Sequence, residues 1–216
     1  LDLAPEIEIN ERIILKKNPN AVNRRLAHPI FILPLRAKAG FEDYGFYSLF
    51  NQVDQDLTAN GHLLDYNCGQ RTYDQLLSNH GGTDYVVWPY PWKKMEDDVM
   101  EVIAAAPGTI LVKRDGNFDR NCANSGNQDW NGIILQHADG SRTYYWHFKS
   151  GSLTSKVVGD SVVAGEFLGT AGSSGSSDIP HVHFEVFDSG GNRIDPYAGP
   201  CNSMNSDSWW IDQPAY

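Results

Sequence analysis

The sequence predicts an antiparallel all-β domain, on three observations. From Asp84 onward, short runs rich in β-branched and aromatic residues are separated by clusters of Gly, Asn, Asp and Ser. The separators Ala106-Pro107-Gly108, Asp139-Gly140 and Gly190-Gly191 carry turn chemistry: glycine supplies a positive φ, and proline a preset one, where a hairpin reverses. The segment from Pro180 to Phe187 alternates. Successive strand side chains point to opposite faces, so Val182, Phe184 and Val186 share one face and His181, His183 and Glu185 the other.

Taken in order, residues 1–65 read as an N-terminal extension packing on the core. They comprise a charged start (Glu6 to Lys17), a proline-punctuated apolar stretch (His28 to Leu35) and a polar segment (Asn51 to Gly61). Residues 66–200 hold the core, with strands expected at Tyr85–Val87, Gly108–Lys113, Gly132–His137, Thr143–Phe148, Phe167–Thr170 and His181–Phe187. Residues 201–216 form a tail rich in Ser, Asn and Asp, whose end Trp209 and Trp210 should tie down by aromatic burial. There is no internal repeat.

A chain of 216 residues suits one principal domain with its own core. Seventeen Lys and Arg against 27 Asp and Glu leave a net charge of -10, and no basic run interrupts it. Counterion release at a phosphate backbone has nothing to work with, so nucleic acid is not an expected partner. No apolar stretch approaches the roughly 20 residues that cross a bilayer, so no membrane partner is expected either. The opening at Leu1 fits a trimmed chain or a processed secreted protein. Cys68, Cys122 and Cys201 lack C-x-x-C spacing, which excludes a zinc knuckle and allows one internal disulfide. The favoured pairing is Cys68 with Cys122, because Cys201 lies in the tail.

Chemistry concentrates in the histidines. In His80-Gly81-Gly82-Thr83-Asp84 two zinc-competent side chains stand four apart, but adjacent glycines cost a helix about 1 kcal/mol each. This is therefore a loop running into a strand, and the helical H-E-x-x-H pattern is absent. In Thr143-Tyr144-Tyr145-Trp146-His147-Phe148, alternation groups His147 with Tyr145 and Thr143. Taken singly, a histidine beside a glycine pair or at a strand end is more often structural than functional.

Together, and in this order, HGGTD, YYWHF and PHVHFEV resemble the lysostaphin-like (LytM, M23) zinc metallopeptidases, whose pattern is H-x-x-x-D, a strand His, then H-x-H. The likeness covers about residues 80–197; the run from Asp129 to His137 and the glycine-spaced segment from Val158 to Gly169 also fit. Ile179 and Val182 depart from the family's usual Gly and Leu at neither ligand position. The resemblance implies an antiparallel sheet with an open groove and one zinc per chain on His80, Asp84 and His183. It makes His147 and His181 the catalytic histidines that do not bind metal. Three ligands leave the fourth tetrahedral position open to water, as a catalytic zinc requires. It further implies a secreted, monomeric endopeptidase acting on peptidoglycan peptides or glycine-rich peptides. The rival is a non-catalytic LytM-like binding or activator module, which typically loses zinc ligands.

Weaker signals carry less. Asp115-Gly116-Asn117-Phe118-Asp119 starts like a calcium loop, but Arg120 and Gly126 stand where Gly and Glu belong. The stretch from Gly172 to Ser177 lacks the G-x-S-x-G order of a serine hydrolase and is expected to rim the groove. Trp88, Tyr90 and Trp92 either wall the groove or pack their loop on the core, and packing is the favoured reading. His28, His62 and His137 are assigned no role.

Overall fold

The structure, a computed structural model, describes residues 3–17, 28, 30–41, 45–58, 61–75, 78–123 and 129–216. Its elements in chain order are α1 (Ala4–Lys17), β1 (Leu35–Ala37), β2 (Tyr47–Asn51), β3 (Asp74–Gln75), β4 (Ser78–Asn79), β5 (Thr83–Val87), α2 (Pro91–Glu96), β6 (Met100–Ile103), β7 (Gly108–Arg114), β8 (Gly132–Gln136), β9 (Arg142–Trp146), β10 (Ser161–Val162), β11 (Phe167–Thr170), β12 (His181–Phe187) and β13 (Arg193–Ile194). The main sheet runs β10-β7-β8-β9-β12-β5-β2, with β13 on β12; every pairing in it is antiparallel. A second antiparallel sheet, β1-β6-β11, packs beside it. The fold is thus all-β, and the six expected strands are β5, β7, β8, β9, β11 and β12.

Strand alternation divides the main sheet into two faces. Ile133, Leu135, Tyr145, Val182, Phe184 and Val186 point into the principal core, where Phe31, Leu168, Trp209 and Trp210 meet them. The other face carries Leu111, Val112, Trp130, Ile134 and Tyr144, and Leu3 and Ile7 cover them. Ile7 is one helical turn from Leu3, so both fall on one side of α1. Proline at the second helical position and Glu6 in the first turn suit a helix start. A Glu6–Arg114 ion pair and a bond from Asn10 Nδ2 to Leu111 O (2.8 Å) complete the attachment. The charged start that the sequence suggests is thus an α-helix lying on the sheet.

The tail docks as its tryptophans suggest: Phe31 N donates to Trp209 O at 2.6 Å, and both indoles are buried. The disulfide differs from expectation. Cys68 pairs with Cys201, not with Cys122. Cys201 N donates to Tyr66 O at 2.9 Å, which carries the tail back beside Cys68, to a Cα–Cα distance of 5.1 Å. Cys122 is exposed and free, on a loop tied instead to Ser173 by Asn121 N.

Asp195 joins these pieces. Its Oδ2 accepts from Gln55 Nε2 at 2.7 Å, its Oδ1 from Tyr197 N at 3.0 Å, and it is fully buried. Burial pushes its carboxyl up to about 7, with the neighbouring Asp65 charge adding to the rise. Because the folded state binds this proton more tightly than the unfolded chain, the stabilisation is complete below the unfolded value near 4. It is lost as pH rises toward 7. The Asp195 contribution to unfolding free energy should therefore fall by at most about 4 kcal/mol from pH 4 to pH 8. Urea unfolding of wild type and Asp195→Asn at pH 5 and pH 8 checks this: the variant should show the smaller difference between the two pH values.

Candidate metal and catalytic centre

β12 lies between β9 and β5, and its register brings the site together. His183 stands opposite Asp84 on β5 and opposite Trp146 on β9, and directly paired residues share a face. His181, His183 and Glu185 therefore project from the face opposite the principal core, as the alternation predicted. The loop before β5 supplies His80. A Cβ at Gly82 would lie 2.6 Å from Phe184 O and 2.7 Å from His183 Nε2, so only glycine lets this loop pass so close to β12.

Three of the four imidazoles are held by Nδ1 on a backbone carbonyl. His80 Nδ1 lies 2.7 Å from Gln52 O, His147 Nδ1 2.6 Å from Ser174 O, and His181 Nδ1 2.7 Å from Ile179 O. A carbonyl only accepts, so in each ring Nδ1 carries the hydrogen and Nε2 of the neutral ring presents a lone pair. His80 Nε2 then faces Asp84 Oδ2 at 3.1 Å and His183 Nδ1 at 3.2 Å, while His183 Nδ1 faces Asp84 Oδ1 at 2.9 Å. One ligand atom from each of the three residues lies within 4.8 Å of the others, and all three residues are buried. Acceptors turned toward one another in a buried place fit a cation. The donor set of two imidazole nitrogens and one carboxylate oxygen is one that zinc takes.

The electrostatics agree. His80 and His183 hold the Asp84 carboxyl well below its ordinary value against a strong opposing effect of burial. Burial lowers His183, but Asp84 and Glu185 outweigh it and raise the ring to about 9. The same pair of carboxylates favours positive charge of any kind at this point. Glu185 Oε1 stands 3.4 Å from His183 Nε2 and 3.6 Å from Arg193 Nη2, so it supports the ring on the side away from Asp84. Asn51 Nδ2 donates to Asp84 Oδ2 at 2.9 Å and steadies the carboxylate.

His147 departs from the strand alternation. The strand ends at Trp146, and His147 takes a left-handed backbone with φ of 69°. Continued alternation would have sent the ring into the core beside Tyr145; the reversal turns it to the site and gives Phe148 the core position. The His147 and His181 rings lie 4.5 Å apart, and His181 Nε2 is 3.7 Å from Asp84 Oδ1. Burial, then the neighbouring His181 and His183, hold His147 well below its ordinary value. Burial also lowers His181, with Asp84 opposing. Both shifts favour the neutral form of the ring.

All five residues singled out in the sequence meet here. Those that sequence reasoning missed are Gln52 and Asn51, from the end of β2 onward, and Tyr73, whose ring stacks on His80 at 4.4 Å. Nothing in their local pattern marks them, since their place depends on β2 pairing with β5. The stretch from Gly172 to Ser177 borders the site: Ser174 O holds His147 and Ser177 Oγ lies 3.3 Å from His181 Nδ1. The Asp115 loop is pinned by backbone hydrogens. Asp115 Oδ1 accepts from Gly116 and Gly151, and Asp119 Oδ2 from Ser150 at 2.7 Å. Trp88 and Tyr90 do not pack on the core as favoured; they are 45% and 76% exposed, while Trp92 is half-buried.

Comparison with known proteins shows what a chain with this His-Asp-His group and two further histidines resembles. The sequence model of peptidase family M23 matches residues 94–196, which include His147, His181 and His183 but begin after His80 and Asp84. Over that segment, a little under half of the chain, the sequence is similar to the M23 peptidases. A stretch of 88 residues, 39% of this chain, is 38% identical to the cell division protein DipM of Caulobacter vibrioides and spans 13% of that protein's length. Among solved structures, the catalytic domain of lysostaphin from Staphylococcus simulans is 22% identical, covering 69% of this chain and 89% of that one (TM-score 0.43). A zinc-containing peptidase from Vibrio cholerae is 20% identical, covering 74% of this chain and 41% of that one (TM-score 0.43).

Proposed function

We propose that this protein is a secreted, monomeric zinc metalloendopeptidase. Its substrate is a peptide of bacterial peptidoglycan, in a glycine-containing bridge or a stem-peptide cross-link, or a glycine-rich protein. The observation that carries the reading is the convergence of His80 Nε2, Asp84 and His183 Nδ1 beside two further buried imidazoles. His80, Asp84 and His183 would hold the metal. Zinc bound there supplies a Lewis acid and lowers the pKa of a water toward about 7.

The chain's own part follows from the two remaining histidines. With Nδ1 committed to a backbone carbonyl, His147 and His181 each leave Nε2 for proton transfer. One can take a proton from the attacking water and pass it to the departing amine nitrogen. The other, once it carries a proton, can donate to the oxygen on which charge develops. Their bonds to Ser174 and Ile179 fix ring orientation, so neither has to reorganise during the step. Secretion is supported by the Cys68–Cys201 disulfide, which belongs to an oxidising compartment, and by a substrate that lies outside the membrane. Among the described residues no helix is long and apolar enough to cross a membrane.

Elemental analysis of freshly purified protein, paired with hydrolysis of purified peptidoglycan and of a pentaglycine peptide, tests the proposal. It expects about one zinc per chain and release of new amino termini. Zinc without cleavage of either substrate would instead favour the non-catalytic binding module, and protein without zinc would overturn the site.

A further inference from the structure

A metal takes an imidazole's lone pair in the plane of the ring, so a ligand histidine must hold its plane as well as its position. The terminal torsion of a histidine is broad, and contacts at the ring's edge do little to stop it tilting. For His183 the edge contacts are Asp84 Oδ1, 2.9 Å from Nδ1, and Glu185 Oε1, 3.4 Å from Nε2. The rings of His80 and His147 meet it at interplanar angles of 72° and 74°. Trp146 differs. It stands directly opposite His183 in the β9–β12 register, and its indole stacks on the imidazole with centroids 5.5 Å apart and planes 24° apart. Among the described residues it is the one ring stacked on His183. The stack continues on the other side of β9, where Trp130, just before β8, lies 5.6 Å from Trp146 at 22°. The Arg114 guanidinium sits 4.7 Å over Trp130 and is ion-paired with Glu6 of α1. Trp146 Nε1 is buried without a hydrogen-bond partner. A buried indole N–H ordinarily finds an acceptor, and leaving it unmet costs stability that a phenylalanine would not incur. What the site uses is the flat face.

We propose that Trp146 is a positioning residue for the metal centre: stacked between Trp130 and His183, it fixes the plane in which His183 offers Nδ1. The assignment rests on the proposal above that His80, Asp84 and His183 hold zinc, and it adds what keeps one of those ligands aimed. In this role Trp146 touches neither metal nor substrate and acts through His183 alone. A flat side chain at this position keeps the imidazole in plane, whereas an aliphatic one fills the space and lets the ring tilt. The expected signature is a loss of metal affinity in a protein that still folds.

The test compares the full chain as wild type, Trp146→Phe, Trp146→Met and Trp130→Leu. Each is stripped of metal, checked for folding by circular dichroism and titrated with zinc against a chromophoric chelator. Trp146→Met should bind zinc about 10- to 100-fold more weakly than wild type, the range over which a group that supports a ligand acts. Trp146→Phe should recover most of that loss. Cobalt(II) in place of zinc should give the wild-type visible spectrum in Trp146→Phe and an altered one in Trp146→Met. Trp130→Leu, one ring further from His183, should lose less affinity than Trp146→Met. Equal zinc affinity in wild type and Trp146→Met would overturn the assignment and leave a purely structural indole, whatever the melting temperatures. A Trp146→Phe protein as weak as Trp146→Met would overturn it too. Should Trp146→Met not fold, Trp130→Leu decides, because unchanged affinity there would overturn the clamp. A weakened Trp146→Met beside a wild type that binds zinc and cleaves nothing would keep this assignment and overturn the peptidase reading. Wild type that takes up no zinc would overturn both.

Discussion

His147→Ala should leave the metal bound and lower kcat/KM on purified peptidoglycan by about 10² to 10⁴-fold, the range that one positioned acid–base group contributes. The His147 ring centroid lies 6.0 Å from that of His183, and its Nδ1 is committed to Ser174 O, so the ring stands beside the three converging ligand atoms without being one of them. His183→Ala should behave differently and lose both zinc and activity. It removes a nitrogen 2.9 Å from Asp84 Oδ1 and one of the groups holding that buried carboxylate in its charged form. A buried charge stripped of its partner destabilises by about 3–5 kcal/mol, so the apo form of this variant should also melt early. Elemental analysis, steady-state hydrolysis and thermal melting of the two variants separate the roles. A His147→Ala protein that lost its zinc would move His147 into the ligand set.

The second large effect concerns the link between Cys68 and Cys201, which are 133 residues apart in the chain. Closing so long a loop restricts the unfolded chain strongly, and removing the link through Cys68→Ser with Cys201→Ser should cost about 2–5 kcal/mol. For a protein of this size that lowers the melting temperature by on the order of 10 °C. Cys122→Ser should leave it unchanged, since that thiol is exposed and unbonded. Differential scanning calorimetry of both variants decides. A similar fall in Cys122→Ser as in the double variant would show that Cys68 pairs with Cys122, as first favoured from the sequence.

These two effects differ in how far each was readable in advance. His181, His183 and Asp84 were legible because a motif of ordered spacing lies on short strands, and a strand's period of two states directly which side chains share a face. His147 was legible as a member of the motif but not in its orientation, which a single left-handed residue reverses. The Cys68 pairing was not legible. No local pattern distinguishes Cys201 from Cys122 as its partner; the choice is made where the tail's Cys201 N meets Tyr66 O. The helix α1 was missed because its short apolar stripe reads as a charged start until the sheet face that it covers exists.

By itself, the sequence determined the all-β class, the six principal strands, the turns between them and the identity of the five clustered residues. The class, strands and turns follow from backbone preference and the alternation of neighbouring side chains, which act over a few residues; the five residues follow from the ordered motifs that resemble the M23 pattern. Only the tertiary structure decided that His183 stands opposite Asp84, that Gln52 and Tyr73 hold His80, and that Trp146 stacks on His183. Such contacts join residues dozens of positions apart. They form only where the chain's loops close and its faces pack, and that outcome belongs to the whole chain and to no segment of it.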